Sequence, residues 1–166
     1  MRIGKWARTI GVAASMALMM GGAALAVTTS QNMAVSAGVS AACNFGTAPA
    51  LNFTYDPLVT NASSGSDDQS TATIALQCTN GDSITIGLSL GANAVSTQRY
   101  VKSGSDTMSY NLYSTSDYVT AWNETTTVSD TGTGSSKNYT VYGSIPKGQN
   151  AKAGSYTDTV SVDVTY

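Results

Sequence analysis

Tyr156-Thr157-Asp158-Thr159-Val160-Ser161-Val162-Asp163-Val164-Thr165-Tyr166 is the stretch whose reading decides the fold class. In an extended chain successive side chains point to opposite faces. Tyr156, Val160, Val162, Val164 and Tyr166 therefore share one face, with Thr157, Thr159, Ser161, Asp163 and Thr165 opposite. Asp158 interrupts the apolar face near its start, so burial is expected from Val160 onward. Valine, threonine and tyrosine suit a pleated surface because their branches and rings pack across neighbouring strands.

Working backward, the same two-residue period recurs. Tyr139, Val141 and Gly143 alternate with Thr140, Tyr142 and Ser144, and Met108, Tyr110 and Leu112 with Ser109, Asn111 and Tyr113. Ile84, Ile86, Leu88 and Leu90 alternate with Ser83, Thr85, Gly87 and Ser89, and Ala72, Ile74, Leu76 and Cys78 with Thr71, Thr73, Ala75 and Gln77. Turn signals separate these runs: Asn80-Gly81-Asp82, Gly91-Ala92-Asn93, Lys102-Ser103-Gly104-Ser105-Asp106, Thr131-Gly132-Thr133-Gly134 and Pro146-Lys147-Gly148. Glycine and Asn-Gly accept positive φ and so reverse the chain. Short strands with frequent turns predict an all-β sandwich or barrel. Residues 62–70 read as a polar loop. No stretch after residue 26 sustains a 3.6-residue period, and no second domain is indicated.

The amino terminus is a separate matter. Arg2, Lys5 and Arg8 precede an apolar run over residues 10–25, and Ala24-Leu25-Ala26 is a small-x-small site. The pattern predicts a secretory signal peptide over residues 1–26, the alternative being a membrane anchor. Once it is removed, all ten acidic residues remain against five basic ones, Arg99, Lys102, Lys137, Lys147 and Lys152, a net charge of −5. The basic residues are scattered. This argues against nucleic-acid binding and an anionic membrane surface. The apolar run is short for a span and no stop-transfer charges follow it, so no membrane insertion is expected after signal removal.

Cys43 and Cys78 are the only cysteines, and in an oxidising compartment they pair in one way; two free buried thiols are the alternative. The chain has no histidine, which removes the commonest general base and zinc ligand. No catalytic residue, cofactor or metal site is expected. Asp67 and Asp68 read as a solvated turn whose spacing fits no EF-hand. Trp122 reads as a core residue or, alternatively, an exposed aromatic for a surface contact.

Residues 27–42 are low in bulky side chains, yet Met33, Val35, Ala37 and Val39 alternate with Ala34, Ser36 and Gly38. They precede Cys43 and so lie outside the loop that a disulfide would close. The order of features is then a signal peptide, a short alternating segment, an early cysteine and a second cysteine ending a strand. It continues with Tyr110-Asn111-Leu112-Tyr113, Tyr142-Gly143-Ser144-Ile145-Pro146 and a closing Gly154-x-Tyr156-x-Asp158-x-Val160. This resembles the spore coat protein U family, which includes subunits of archaic chaperone–usher pili.

The resemblance implies an immunoglobulin-like sandwich lacking its final strand, with residues 43–166 as the domain and 27–42 as a donor-strand extension. A periplasmic chaperone would first lend the missing strand. In the fibre, Met33, Val35, Ala37 and Val39 of a neighbouring copy would replace it, giving a homopolymer by strand addition. About twelve extended residues at ~3.3 Å each reach ~40 Å, enough to cross a domain. The last strand, with Val160, Val162, Val164 and Tyr166, would flank the groove, and no later strand follows it to complete a sheet. The resemblance further implies an outer-membrane usher, a cell-surface pilus serving adhesion and biofilm formation, and no enzymatic activity. Two alternatives are a self-complemented coat or matrix protein and a minor or tip adhesive subunit.

Overall fold

The computed structural model describes residues 26–166, so the expected signal segment lies outside the described residues except for Ala26. Two units are distinguished, residues 1–37 and 38–166, and all strands belong to the second. They are β1 (Cys43–Phe45), β2 (Asp68–Cys78), β3 (Ser83–Leu88), β4 (Arg99–Ser103), β5 (Asp106–Tyr113), β6 (Val128–Thr131), β7 (Ser136–Ile145) and β8 (Val162–Thr165). No helix occurs among the described residues.

The strands form a five-stranded sheet in the order β1-β2-β7-β5-β4 and a three-stranded sheet in the order β6-β3-β8. Every pairing is antiparallel. The alternation expected from the sequence sets which faces meet. Ile74, Leu76 and Cys78 of β2, Met108, Tyr110 and Leu112 of β5, and Val141 and Ile145 of β7 are buried against Ile84, Ile86 and Leu88 of β3. The turn glycines act as expected. Gly81 (φ 90°) reverses β2 into β3, and Gly104 (φ 61°) reverses β4 into β5, conformations that L side chains rarely adopt.

Three elements were not visible in the sequence: β1, β4 and β6. Each is short, and its pairing partner supplies the order that its own pattern lacks. The polar stretch 62–70 also divides differently than expected. Its last residues, from Asp68 on, open β2, where Asp68 pairs with Ile145.

Trp122 is core, with 1% of its surface exposed. Its Nε1–H donates to the Ile86 carbonyl at 2.9 Å. Close by, the buried Arg99 guanidinium donates to the carbonyls of Leu88 (3.2 Å), Ser89 (2.7 Å) and Trp122 (2.9 Å). Burial lowers its pKa from the ordinary value. A single β4 side chain thus ties the five-stranded sheet to the end of β3. The sequence reading had taken Arg99 for one of the scattered basic residues, since nothing local marks a cation destined for burial.

The Cys43–Cys78 disulfide is formed and lies beside the β1–β2 pairing. It closes 35 residues, a constraint worth about 4 kcal/mol in the chain-entropy account. A second link joins β6 to β7. Asp130 accepts from Lys137 Nζ and, at 2.8 Å, from Tyr139 Oη. The lysine contact first, then the Thr131 amide and Tyr139, hold the Asp130 carboxyl down at about 2. Burial and the Asp130 bond push Tyr139 up to about 12.

Two outcomes follow from these contacts. Trp122→Phe leaves the Ile86 carbonyl without its donor and is expected to cost about 1–3 kcal/mol, read as a lower denaturant midpoint with unchanged slope. Because the Asp130 pKa is depressed on folding, its contribution is complete above the ordinary value of 3.8 and is lost as pH falls toward about 2. NMR titration should place the Asp130 midpoint near 2, and Lys137→Met should move it upward. A midpoint that ignores Lys137 would show that the pair is not formed.

Candidate functional site

The site is an open groove of about 1410 Å³ within the β-sandwich, lined by apolar and polar residues in comparable share. Its floor comes from the five-stranded sheet: Ile74 of β2, Val141 and Ile145 of β7, Met108 and Leu112 of β5, and Val101 of β4. Leu88, Val160 and Val162 form the wall on the three-stranded side. Each strand reaches the groove by the same rule, since the alternate residues that point inward are the apolar ones.

Two further segments border it. Residues 51–55 form no strand, yet Leu51, Phe53 and Tyr55 are half-buried while Asn52 and Thr54 are exposed. Leu51 and Phe53 lie directly on Gly143. A Cβ there would come within 2.3 Å of Leu51 and 2.8 Å of Phe53, so only glycine permits the contact. The Tyr55 hydroxyl donates toward the carbonyls of Pro146 (3.1 Å) and Asn61 (3.2 Å) and accepts from the Gln149 amide at 2.8 Å. This anchors the rim to the end of β7. The alternation Leu51-x-Phe53-x-Tyr55 was a signal the sequence reading passed over. The other border is residues 152–156, which lead into the β8 segment.

That segment crosses from one sheet to the other. Thr157 pairs with Lys102 of β4, the Thr159 and Ser161 carbonyls accept from Ala92 and Ser89, and Val162–Thr165 pairs with β3. Asp158, the residue that breaks the apolar face, is held at this crossing. It accepts from Tyr110 Oη at 2.7 Å and from the Asn93 amide at 3.0 Å. Burial, then the Asp158 bond, raises the Tyr110 pKa from its ordinary value, so the hydroxyl keeps its proton as donor.

β8 is the last member of the β6-β3-β8 sheet, and among the described residues β3 is the strand it pairs with. Val160, Val162 and Val164 pack against the core but stay half-buried, and Tyr166 is 56% exposed. The groove is the reason: Val160 and Val162 form its wall. Tyr166 lies beyond it, which departs from the four-residue alternation expected of this strand.

The segment 27–42 carries no strand. Met33, Val35 and Val39 are 84%, 82% and 87% exposed, and Ala37 is exposed. Among the described residues no three His, Cys, Asp or Glu side chains are grouped to hold a metal. Asp67 accepts from the Lys147 amide at 3.1 Å. Asp68, expected in a solvated turn, is instead half-buried. Burial raises its pKa, and one of its oxygens has no partner.

A model of the Spore Coat Protein U domain matches residues 29–163. The chain belongs to this family. It is 35% identical to Protein U of Myxococcus xanthus over 169 residues, covering 93% of this chain and 94% of the relative. Among solved structures it is similar to the CsuC–CsuE chaperone–tip adhesion subunit pre-assembly complex from archaic chaperone–usher Csu pili of Acinetobacter baumannii. The TM-score is 0.58 at 19% identity, covering 77% of this chain and 40% of the other. At that identity the likeness is one of fold, and it agrees with an immunoglobulin-like sandwich. Among the described residues of this spore coat U domain, no helix is long and apolar enough to cross a membrane.

Apolar side chains in a groove open to water bind dyes such as anilinonaphthalene sulfonate. Purified protein is expected to raise the dye's fluorescence, and Val160→Asp, which places a charge on the wall, should lower the signal. A wild-type signal equal to that of free dye would mean the groove is filled in solution.

Proposed function

We propose that the protein is an exported structural subunit of a surface pilus, polymerised when residues 27–42 of one copy enter the groove of the next. The observation that carries this reading is the conjunction of an apolar floor and the free edge of β8. A strand edge in water exposes unpaired N–H and C=O groups, and the groove leaves Val101, Tyr156, Val160 and Val162 only half-buried, so covering them gains ~25 cal/mol per Å². An inserted strand meets both needs. Its backbone pairs with β8, and its alternate side chains reach the floor.

Residues 27–42 have the matching chemistry. They contain no charged side chain, and Met33, Val35, Ala37 and Val39 fall on one face of an extended chain. The seven residues from Met33 to Val39 span about 23 Å at ~3.3 Å each. That is shorter than the extended segment 156–166 beside which they would lie. The contact is head-to-tail and heterologous, so it propagates as a filament instead of closing.

Before assembly the same opening would be covered by a periplasmic chaperone. The neighbouring fold, solved as a chaperone–subunit complex of a chaperone–usher pilus, supports this partner. An outer-membrane usher, export directed by residues 1–26, and a role in adhesion and biofilm formation complete the reading. A second reading has its own support in the likeness to Protein U over nearly the whole chain. In it, the protein is a secreted coat or matrix component whose own residues 27–42 complete its fold.

Val35→Asp separates the two readings. A charge at this position cannot be buried without several kcal/mol of cost. The expected result is loss of the SDS-resistant, heat-sensitive ladder of sheared surface material, while export of the subunit continues. Fibres that survive Val35→Asp would overturn donor-strand polymerisation. A monomer that withstands SDS without boiling and is destabilised by the substitution would favour self-completion.

A further inference from the structure

The root of the donor segment is clamped. The Ala42 amide donates to Thr79 Oγ1 at 3.0 Å, and the Thr79 amide donates back to the Ala42 carbonyl at 2.9 Å. The next residue, Cys43, is bonded to Cys78. The chain is therefore fixed to the body up to Ala42. Val39, the last apolar position of the alternation, is 87% exposed, and only Ser40 and Ala41 separate it from the clamp.

This spacing limits how far apart two joined copies can stand. From Val39 to Ala42 are three steps of at most ~3.6 Å, about 11 Å in all. Packed β layers already lie ~10 Å apart, so bodies joined through Val39 have no room for a solvent-filled gap. An incoming strand that pairs as every strand of the body does, in the slightly more stable antiparallel mode, runs antiparallel to β8. Its Val39 end then emerges beside the start of the β8 segment, where residues 152–155 form the groove's border.

The surface around the clamp is preformed. The turns at residues 79–82 and 132–135 are laced together: Gly81 N–H donates to the Gly132 carbonyl at 2.9 Å, Gly132 N–H to Asp82 at 2.8 Å, and Gly134 N–H to Cys78 at 2.9 Å. We propose that this end of the body, residues 79–82 and 132–135 around Ala42, is an interface that abuts the 152–155 border of the next copy. The inference rests on the donor-strand reading and adds to it a second, rigid contact. That contact sets the angle between successive subunits, so that the fibre is stiff and not a string of freely jointed beads.

The test is a Gly-Ser-Gly-Ser insertion between Ala41 and Ala42 in the full-length protein, outside every strand and outside the disulfide loop. Two measurements are made on sheared fibres: the SDS ladder without boiling, and the persistence length from electron micrographs. The ladder should match wild type, because the donor residues are untouched, while persistence length falls roughly threefold or more as the flexible linker frees the joint. An intact ladder with wild-type stiffness would overturn the interface and leave donor-strand exchange standing. Absence of the ladder from the wild type as well would overturn the donor-strand reading and the interface with it.

Discussion

The free edge of β8, beside a groove whose wall residues Val160 and Val162 stay half-buried, governs the rest of the molecule. A sandwich is stable when the inner faces of its two sheets exclude water from each other. Here the inner residues of β2, β5 and β7 are buried, while Val101 of β4 is only half-buried where it lines the groove. The half-buried state of Val160 and Val162 records the shortfall. Their side chains are aimed correctly, but one side of each meets the groove.

The remainder of the molecule is built to hold that opening in shape. Between the two sheets, carbonyls and strand ends are tied by specific donors. Trp122 takes the Ile86 carbonyl, Arg99 takes those of Leu88 and Ser89, and the Asp130–Tyr139 bond joins β6 to β7. At the groove's border, Tyr55 fixes residues 51–55 to the end of β7, and Asp158 is held by Tyr110 and Asn93. The polar pegs resist collapse by requiring a particular distance between the elements they join. A buried guanidinium satisfied by carbonyls, with no carboxylate in its hydrogen-bonding set, is a demanding arrangement. It serves well where two sheets must be kept at a set separation.

Much of the candidate site was legible from alternation alone. The inward residues of β2, β3, β5, β7 and β8 were read from their two-residue period, and those same residues line the groove or its surroundings. Residues 51–55 were missed although they alternate, because they form no strand and follow a proline-containing stretch. β4 and β6 were missed because Arg99–Ser103 and Val128–Thr131 are too short and polar to carry a pattern of their own. Tyr166 falls on the apolar face by its spacing, yet it is 56% exposed and lies outside the groove's lining.

The class of fold, the faces of the long strands and the position of the turns could be read from the chain alone, because they depend on local periodicity and on the φ preference of glycine. That Cys43 and Cys78 pair instead of remaining free thiols, where the groove lies, that Arg99 is interior and that Ala42 is clamped to Thr79 came from the folded molecule. Each of those depends on which strands become neighbours. Strand order is set by the summed burial of both sheets, a quantity that no single stretch of the chain contains.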